Sequence, residues 1–293
     1  MTPIDLSKIP APNVVEPLDY ETILAALLAD LQARDPSFSA LVESDPAYKI
    51  LEVCAFRELL LRQRINDAAR GVMLAYAQGA DLEQLAALYG VARHVIAPGD
   101  PNAFPPVPPT MESDSDLRRR ILLALDGFSV AGPSRAYIFH ALGVPDVADV
   151  SVVSPAPSVV VVSILSRAND GVPSPETIAA VQTALNDEDV RPLAIEVTVQ
   201  AAELVDYTIE ATIYTFSGPD PETVIESSQN AAQAYADEQK RIGLDVTLSG
   251  VYAALHQPGV QRVELTSPVA SISISNTQAA RCTAINLTNG GIA

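Results

Sequence analysis

The chain has 293 residues, of which 48% are hydrophobic and 18% are charged, so it can bury a large core and is not expected to be disordered. Its formal net charge of −18 excludes nucleic acid as a main partner, because a protein that binds phosphates needs a basic face. Two distant cysteines form neither a disulfide framework nor a metal-site pattern, and no apolar run is long enough to span a membrane. The first residues also lack the apolar core of a signal peptide, so we expect a soluble protein made in a reducing cytoplasm.

The first predicted element is an amphipathic helix from Tyr20 to Leu31. Its apolar residues recur every three or four positions, which places them on one face of a helix. Asp19 precedes it as an N-terminal cap, and Pro36 ends it.

A longer helix is predicted from Pro46, because no further proline or glycine occurs before Gly71. If it continues to Tyr76, it is about 45 Å long, from the rise per residue of an α-helix. Its apolar residues form two adjoining rows, a stripe wide enough to pack against more than one helix. The first row contains Ile50, Cys54, Leu61, Ile65, Ala68, Val72 and Tyr76, and the second contains Leu51, Ala55 and Leu59. We expect part of this surface to be buried between chains. The candidate partner-interface residues are Ile50, Cys54, Leu61, Ile65, Val72 and Tyr76.

Two segments with different properties follow the long helix. A short helix is predicted after Gly79, with Gly90 as its C-terminal cap. Six prolines then lie between Pro98 and Pro109, and this density favours an extended, semi-rigid spacer over a packed element. We therefore take the proline-rich segment as the main linker.

After Met111 the pattern changes from helices alone to helices that alternate with strands. Asp114 or Ser115 can cap one helix, and another begins at Pro133 and ends near Gly143. Alternating apolar and polar residues then predict strands with one buried face. The predicted strands are Val147–Ser154, Ser158–Leu165, Leu193–Val199, Tyr207–Thr215, Val260–Thr266 and Ala270–Ser275.

This second part contains an internal duplication. The segment Pro173–Ile178 recurs as Pro219–Val224, each time between a predicted strand and a predicted helix. The pattern is typical of a helix start, in which Ser174 or Asp220 caps the helix and proline occupies its first position. The second matching pair is Val147–Pro155 and Val260–Pro268. The duplication indicates two related α/β units.

The expected fold class is therefore α+β, with an N-terminal helical part that contains one long helix, a proline-rich linker, and two related α/β units with mixed sheets. The expected domains are a helical part at residues 1–96, the linker at 97–112, a first α/β unit at 113–204, and a second unit with a C-terminal tail at 205–293. The tail from Asn276 matches no pattern that we can assign.

No catalytic, cofactor-binding or metal-binding residues are predicted. His94, His140 and His256 are far apart in sequence and lack ligands at metal-site spacing. The basic run Arg118–Arg120 directly follows acidic residues on a predicted helix, which favours a solvated face or one that forms ion pairs between subunits. The segment Gly127–Ala131 lacks the second glycine of a nucleophile elbow.

Several segments together resemble the baseplate J family, the wedge proteins of contractile phage tails, tailocins and related injection systems. No single segment is diagnostic, and the resemblance depends on their order and number. The segments are Glu43–Pro46 with Phe56–Leu59 and Arg64–Asn66, then Gly79–Ala86 with Tyr89–Val91, then Glu112–Ile121, and finally Ile242–Ser249 with Ala254–Leu255 and Pro258–Val260.

The resemblance implies a structural role without catalysis or cofactors. Two copies of such a protein and one smaller tail protein, similar to tail protein I, form a wedge whose N-terminal helices share a bundle. The C-terminal parts (residues 205–293 here) pair with neighbouring wedges into a ring around the central hub. A sheath-initiator protein attaches to the wedge, and rearrangement of the ring leads to sheath contraction. The expected location is the baseplate of a virion or tailocin, assembled in the cytoplasm of the bacterial host.

Two other functions stay open at this point. A tail-associated hydrolase needs a cluster of catalytic residues that the sequence does not display. A receptor-binding tail module would favour repeated strands with exposed aromatic residues, whereas this chain begins with long helices. We expect neither nucleic acid nor a membrane among the partners.

Overall fold

A computed structural model of the chain describes residues 6, 9–10, 18–128, 133–188, 190–192, 195–218 and 220–292. Its contacts divide the chain into two compact units. The described residues of Met1–Arg93 and Glu112–Ile121 form unit 1, and those of His94–Met111 and Leu122–Ala293 form unit 2.

Unit 1 is helical. Its helices are α1 (Tyr20–Arg34), α2 (Pro46–Gly71), α3 (Gly79–Ala87) and the first part of α4 (Asp114–Ala124). The predicted cap of α1 is confirmed, since the Asp19 carboxylate accepts a hydrogen bond from the backbone N–H of Glu21 at 3.2 Å. The cap of α4 is Ser113 rather than the expected Asp114 or Ser115, because the Ser113 hydroxyl accepts a hydrogen bond from the N–H of Asp116 at 3.2 Å.

Helix α2 ends at Gly71, so the expectation that it continues to Tyr76 is wrong. Gly71 lies against α3, where a Cβ atom on it would stand 2.7 Å from the Asp81 carboxylate. Beyond Gly71 the chain forms short turns, in which the N–H of Met73 donates to the carbonyl of Arg70. The helix of 26 residues is therefore about 39 Å long.

Unit 2 contains the remaining elements, and its two three-stranded sheets are mixed as the sequence predicted. The helices are α5 (Ser134–Ala141), α6 (Pro175–Leu185), α7 (Pro221–Gln239) and α8 (Leu248–Leu255). The strands are β1 (Val95–Ala97), β2 (Thr110–Met111), β3 (Val147–Ala156), β4 (Val159–Ser166), β5 (Glu196–Ala201), β6 (Glu203–Thr215), β7 (Val260–Ser267) and β8 (Gln278–Ile292).

Two three-stranded sheets of unit 2 share one arrangement. Their strand orders are β3-β4-β5 and β7-β6-β8. In each sheet the central strand has one antiparallel neighbour (β3 or β7) and one parallel neighbour (β5 or β8). The helix–strand pair α5–β3 precedes the central strand β4, whereas the matching pair α8–β7 follows the central strand β6. The duplication therefore yields two similar sheets. In the first sheet the helix–strand pair comes before the central strand in the chain, and in the second sheet it comes after the central strand.

The repeated helix start has the predicted geometry in both copies. The Ser174 hydroxyl accepts from the N–H of Thr177 at 3.2 Å at the start of α6. The Asp220 carboxylate accepts from the N–H of Glu222 at 3.2 Å at the start of α7. Each helix then covers an apolar core beside its own sheet, around Val162 and Ile164 in one case and around Ile209 and Ile213 in the other.

The structure corrects one predicted strand and assigns the C-terminal tail. The segment Ala270–Ser275 forms no strand and makes only one isolated β-bridge, between Val246 and Ile272. Strand β8 instead begins at Gln278 and runs parallel to β6, so the tail with no assigned pattern is part of the second sheet. The predicted start of another strand, Leu193, lies outside the described residues.

The proline-rich segment folds back on itself within unit 2. Asp100 and Val107 exchange two backbone hydrogen bonds of 2.9 Å, and β1 pairs antiparallel with β2. The domain boundaries given above stay a prediction. Across the helices that the structure describes, none combines the length and the apolar character needed to cross a membrane.

Candidate assembly interface

Helix α2 is packed on one side by α1. Ala55 on α2 is fully buried against Ile23 and Leu24 on α1, and Leu51 and Leu59 are partly buried in the same cluster. This cluster contains the second of the two predicted apolar rows. One neighbouring helix therefore covers only part of the wide apolar stripe.

The rest of the stripe is exposed among the described residues. Four of the sequence-predicted residues lie together there: Ile50, Leu61 and Ile65 are 59 to 64% exposed, and Cys54 is exposed as well. Three more large apolar side chains on this helix, which were not among the predicted residues, are also exposed: Val53, Phe56 and Leu60. Their spacing of three and four residues was the available signal. The name α2 surface is used below for Ile50, Val53, Phe56, Leu60, Leu61 and Ile65.

The last two candidate residues lie beyond the helix end. Val72 is 72% exposed in the turn that follows α2. Tyr76 is partly buried, and its hydroxyl donates a hydrogen bond of 2.9 Å to the carbonyl of Ile9. The structure therefore does not place these two residues on the same helix as the other four.

Helix α2 is basic although the chain as a whole is acidic. It carries five basic residues and three acidic ones, namely Lys49, Arg57, Arg62, Arg64 and Arg70 against Glu52, Glu58 and Asp67. Two of the acidic side chains form ion pairs within the helix, Glu58 with Arg62 at 2.6 Å and Glu52 with Lys49 at 2.9 Å. The exposed surface of the helix is thus apolar with a surplus of positive charge.

Two arginines of the basic run on α4, Arg118 and Arg120, make their contacts within unit 1 and do not form the solvated face that the sequence suggested. Arg120 is buried and pairs with the Glu112 carboxylate at 2.8 Å. Arg118 donates to the carbonyls of Leu74 and Ala77 at 2.7 and 2.6 Å. The Arg118 guanidinium therefore holds the connection between α2 and α3, whereas the Arg120 guanidinium joins α4 to Glu112 and to the carbonyl of Ala92, all within unit 1.

A second ion-pair group lies next to these arginines. Arg93 donates to Asp114 at 2.7 Å and to Glu83 at 2.6 Å, and also to the carbonyl of Glu112. Desolvation lowers the pKa of the Arg93 guanidinium, but the hydrogen bonds to Asp114 and Glu83 outweigh it and raise that pKa above its ordinary value. Desolvation raises the pKa of Asp114, but the N–H of Gly79 and the Arg93 guanidinium outweigh it and lower that pKa. The acidic start of α4 thus fixes structure within unit 1.

The three histidines lie in separate environments. His94 Nε2 is 3.3 Å from the carbonyl oxygen of Leu142, and His256 is exposed at the end of α8. His140 packs edge-on against Phe139, and desolvation lowers its pKa. Within the described ranges, no group of three His, Cys, Asp or Glu side chains is arranged to hold a metal ion.

Comparison with known proteins gives a consistent result along the chain. Family models match three successive segments: the Baseplate J-like N-terminal domain at residues 43–100, the Baseplate J-like central domain at 129–201, and the Baseplate J-like protein C-terminal domain at 207–288. Baseplate protein J of Escherichia phage P2 is 48% identical over 296 aligned residues, which cover 98% of each protein.

A solved structure is also similar, at a lower level. It is a chain of the anti-feeding prophage baseplate, determined by cryo-electron microscopy, with 17% identity and a TM-score of 0.42. The alignment covers 62% of this chain and 44% of that chain. The three matched domains and the full-length similarity to the P2 protein show that this chain belongs to the baseplate J family of phage tail baseplate proteins.

Proposed function

We propose that the chain is a non-enzymatic wedge subunit of a contractile tail baseplate, in a virion or tailocin assembled in the bacterial cytoplasm. Two copies and a smaller tail protein similar to tail protein I form the wedge, and the wedges close a ring around the central hub. The ring carries the sheath initiator and helps to couple baseplate rearrangement to sheath contraction. Membership of the baseplate J family supports this proposal.

The observation that carries the proposal is the α2 surface. Six large apolar side chains are exposed on a single helix. An exposed apolar patch of this kind usually marks a site of contact with another protein, because burying it removes apolar area from water. A helix bundle shared between chains would bury it, and the surplus positive charge of α2 suits association with chains as acidic as this one.

The first prediction tests whether the α2 surface is buried between chains, with the double variant Leu61→Asp/Ile65→Asp. Two carboxylates in an apolar contact cost several kcal/mol, so we expect the variant to lose association with its wedge partners. The core of unit 2 contains neither residue, so its melting transition is expected to stay unchanged. Size-exclusion chromatography with light scattering on the complex co-expressed with the neighbouring tail proteins measures the stoichiometry.

A matched control separates the effect of changing the α2 surface from the general effect of two added negative charges. Leu88 and Leu125 are 79 and 67% exposed and lie outside α2, so Leu88→Asp/Leu125→Asp adds the same charge elsewhere. We expect this control to assemble normally. Wild-type stoichiometry for the α2 variant, or an equal loss of association in both variants, would exclude the α2 surface as the contact between chains.

The absence of enzymatic activity is also part of the proposal. It is supported by the separate environments of the histidines and by the structural roles of the arginines and acidic residues around α4. Turnover of a cell-wall substrate by the purified protein, abolished by changing one side chain, would contradict it.

A further inference from the structure

The most exposed large apolar side chain recorded for the described residues is Phe104. Its relative exposure is 102%, so it packs against nothing in the described part of the chain. Phe104 lies in the loop Asp100–Val107, which is called the proline loop below. A fully exposed phenylalanine has an apolar area that becomes favourable to bury only when another molecule arrives.

The base of the proline loop is held by several backbone contacts. Two backbone hydrogen bonds of 2.9 Å join Asp100 and Val107, and the Asp100 carboxylate accepts from the N–H of Asn102 at 2.8 Å. Gly99 has a φ of +69°, and a Cβ atom there would stand 2.4 Å from the Val107 carbonyl oxygen. Only glycine allows the two arms of the loop to come this close.

The sequence of the loop also limits its freedom. Phe104 is followed by Pro105 and Pro106, and Val107 by Pro108 and Pro109. Each proline fixes its own φ and restricts the residue before it. A segment of this kind loses little conformational entropy when it binds, which is the reason that proline-rich segments are common recognition elements.

We propose that the proline loop docks Phe104 into an uncharged, apolar cleft lined by aromatic side chains on another protein. An aromatic lining suits the Phe104 ring, because contacts between aromatic rings are more favourable than the burial of their apolar area alone. The loop itself has no charge between Pro101 and Met111. This inference rests on the proposed function in one respect: the partner is sought among the proteins of the same tail.

Charge makes a lipid surface a poorer partner than a protein. From Pro98 to Met111 the sequence contains one charged residue, Asp100, which is acidic. An apolar anchor that binds anionic membranes usually has lysine or arginine beside it, because each contributes electrostatic attraction. The net charge of −18 adds repulsion from such a membrane.

A photo-reactive side chain placed at position 104 tests the proposal directly. Phe104→benzoylphenylalanine is irradiated both in cells that produce the tail and in purified tail particles, and cross-linked products are identified by mass spectrometry. We expect one cross-linked protein, the same in both samples, joined through a segment that contains aromatic residues. Position 128 is the matched control, because Phe128 is also exposed, at 76%, and lies outside the loop.

A second variant measures how much the contact matters. Phe104→Ser is expected to lower incorporation of the chain into particles by about 10- to 100-fold, the scale for losing an aromatic anchor. Phe128→Ser is expected to be incorporated normally. Because Phe104 is fully exposed, the purified Phe104→Ser protein is expected to melt at the same temperature as the wild type.

Several results would overturn the proposal. These are cross-links from position 104 only to lipid or to the chain itself, no cross-link, normal incorporation of Phe104→Ser, equal loss in the Phe128→Ser control, or a lower melting temperature for Phe104→Ser. Failure of the proposed function has a different signature, the absence of the wild-type chain from purified particles. Irradiation of whole cells then still decides whether position 104 contacts another protein.

Discussion

At the residue scale, the arginines of unit 1 show how burial changes the role of a charged side chain. Arg120 and Glu112 are 9 and 0% exposed, so both charges are removed from water and depend on nearby partners. Arg93 is equally enclosed but pairs with the half-exposed Glu83. Neighbouring ion pairs of the same chemical type are therefore expected to contribute very differently to stability.

The second prediction compares these two carboxylates. Glu112→Ala removes the carboxylate that faces a buried guanidinium and is expected to cost about 3–5 kcal/mol in the free energy of unfolding. Glu83→Ala removes a carboxylate that is 47% exposed and is expected to cost about 1 kcal/mol or less. Urea unfolding followed by circular dichroism measures both. Equal losses in the free energy of unfolding would show that the burial of an ion pair does not determine its contribution to stability.

Residues with local partners were predictable from the sequence, and residues with distant partners were not. The sequence correctly places the helix caps Asp19, Ser174 and Asp220. Each side chain accepts a hydrogen bond from a backbone N–H group only two or three residues further along the chain. Arg118 binds carbonyl groups 44 and 41 residues away. Nothing in the run Arg118–Arg120 distinguishes such an enclosed guanidinium from a solvated one.

At the element scale, α4 has buried apolar side chains from Leu117 to its last residue, Ala124. Leu117 and Ile121 are almost fully buried and belong to the part of α4 that is grouped with unit 1. The sequence predicted a domain start at residue 113, just before this helix. Helical periodicity shows that α4 has an apolar face but does not show which neighbour covers it.

The third prediction compares two fragments that differ only in residues 113–121, which include the first part of α4. A fragment of residues 122–293 keeps Leu123 of the first core, α5 and both larger sheets, so we expect it to be soluble and to melt cooperatively. A fragment of residues 113–293 exposes Leu117 and Ile121 and removes the carbonyl partners of Arg118, so we expect it to associate or precipitate. Light scattering and calorimetry measure both properties. A well-behaved longer fragment would instead support the boundary that the sequence suggested.

At the scale of the whole molecule, the two α/β repeats of unit 2 share a contact region. Leu165, Ala202 and Ala279 form a small buried cluster that joins the end of β4 to the start of β8. Beside it, the Asp149 carboxylate of β3 accepts a hydrogen bond of 2.8 Å from the N–H of Ile242. The sequence showed the duplication, but it could not show this joint, because each partner lies in a different repeat.

The fourth prediction is that the two repeats unfold together. Leu165→Ala leaves a cavity in the shared cluster and is expected to cost about 2–5 kcal/mol. Amide exchange should then accelerate in β4 and in β6 alike. Val172→Ala, at a position that is 47% exposed, is the control and is expected to change little. Faster exchange confined to the first repeat would show that the joint does not couple them.

The pairing of β6 with β8 also affects how the protein is made. Arg281 of β8 binds Asp206 of β6, its ion-pair partner 75 residues earlier in the chain. At about 5–20 residues per second, a ribosome needs roughly 4 to 15 seconds to synthesise that interval. During this time β6, with Ile209 and Ile213 among its apolar residues, lacks its parallel neighbour β8, and until Val260–Ser267 has been made it also lacks its antiparallel neighbour β7. An unpaired strand of this kind can pair with the wrong chain, so chaperone binding during translation is expected to matter most for this sheet.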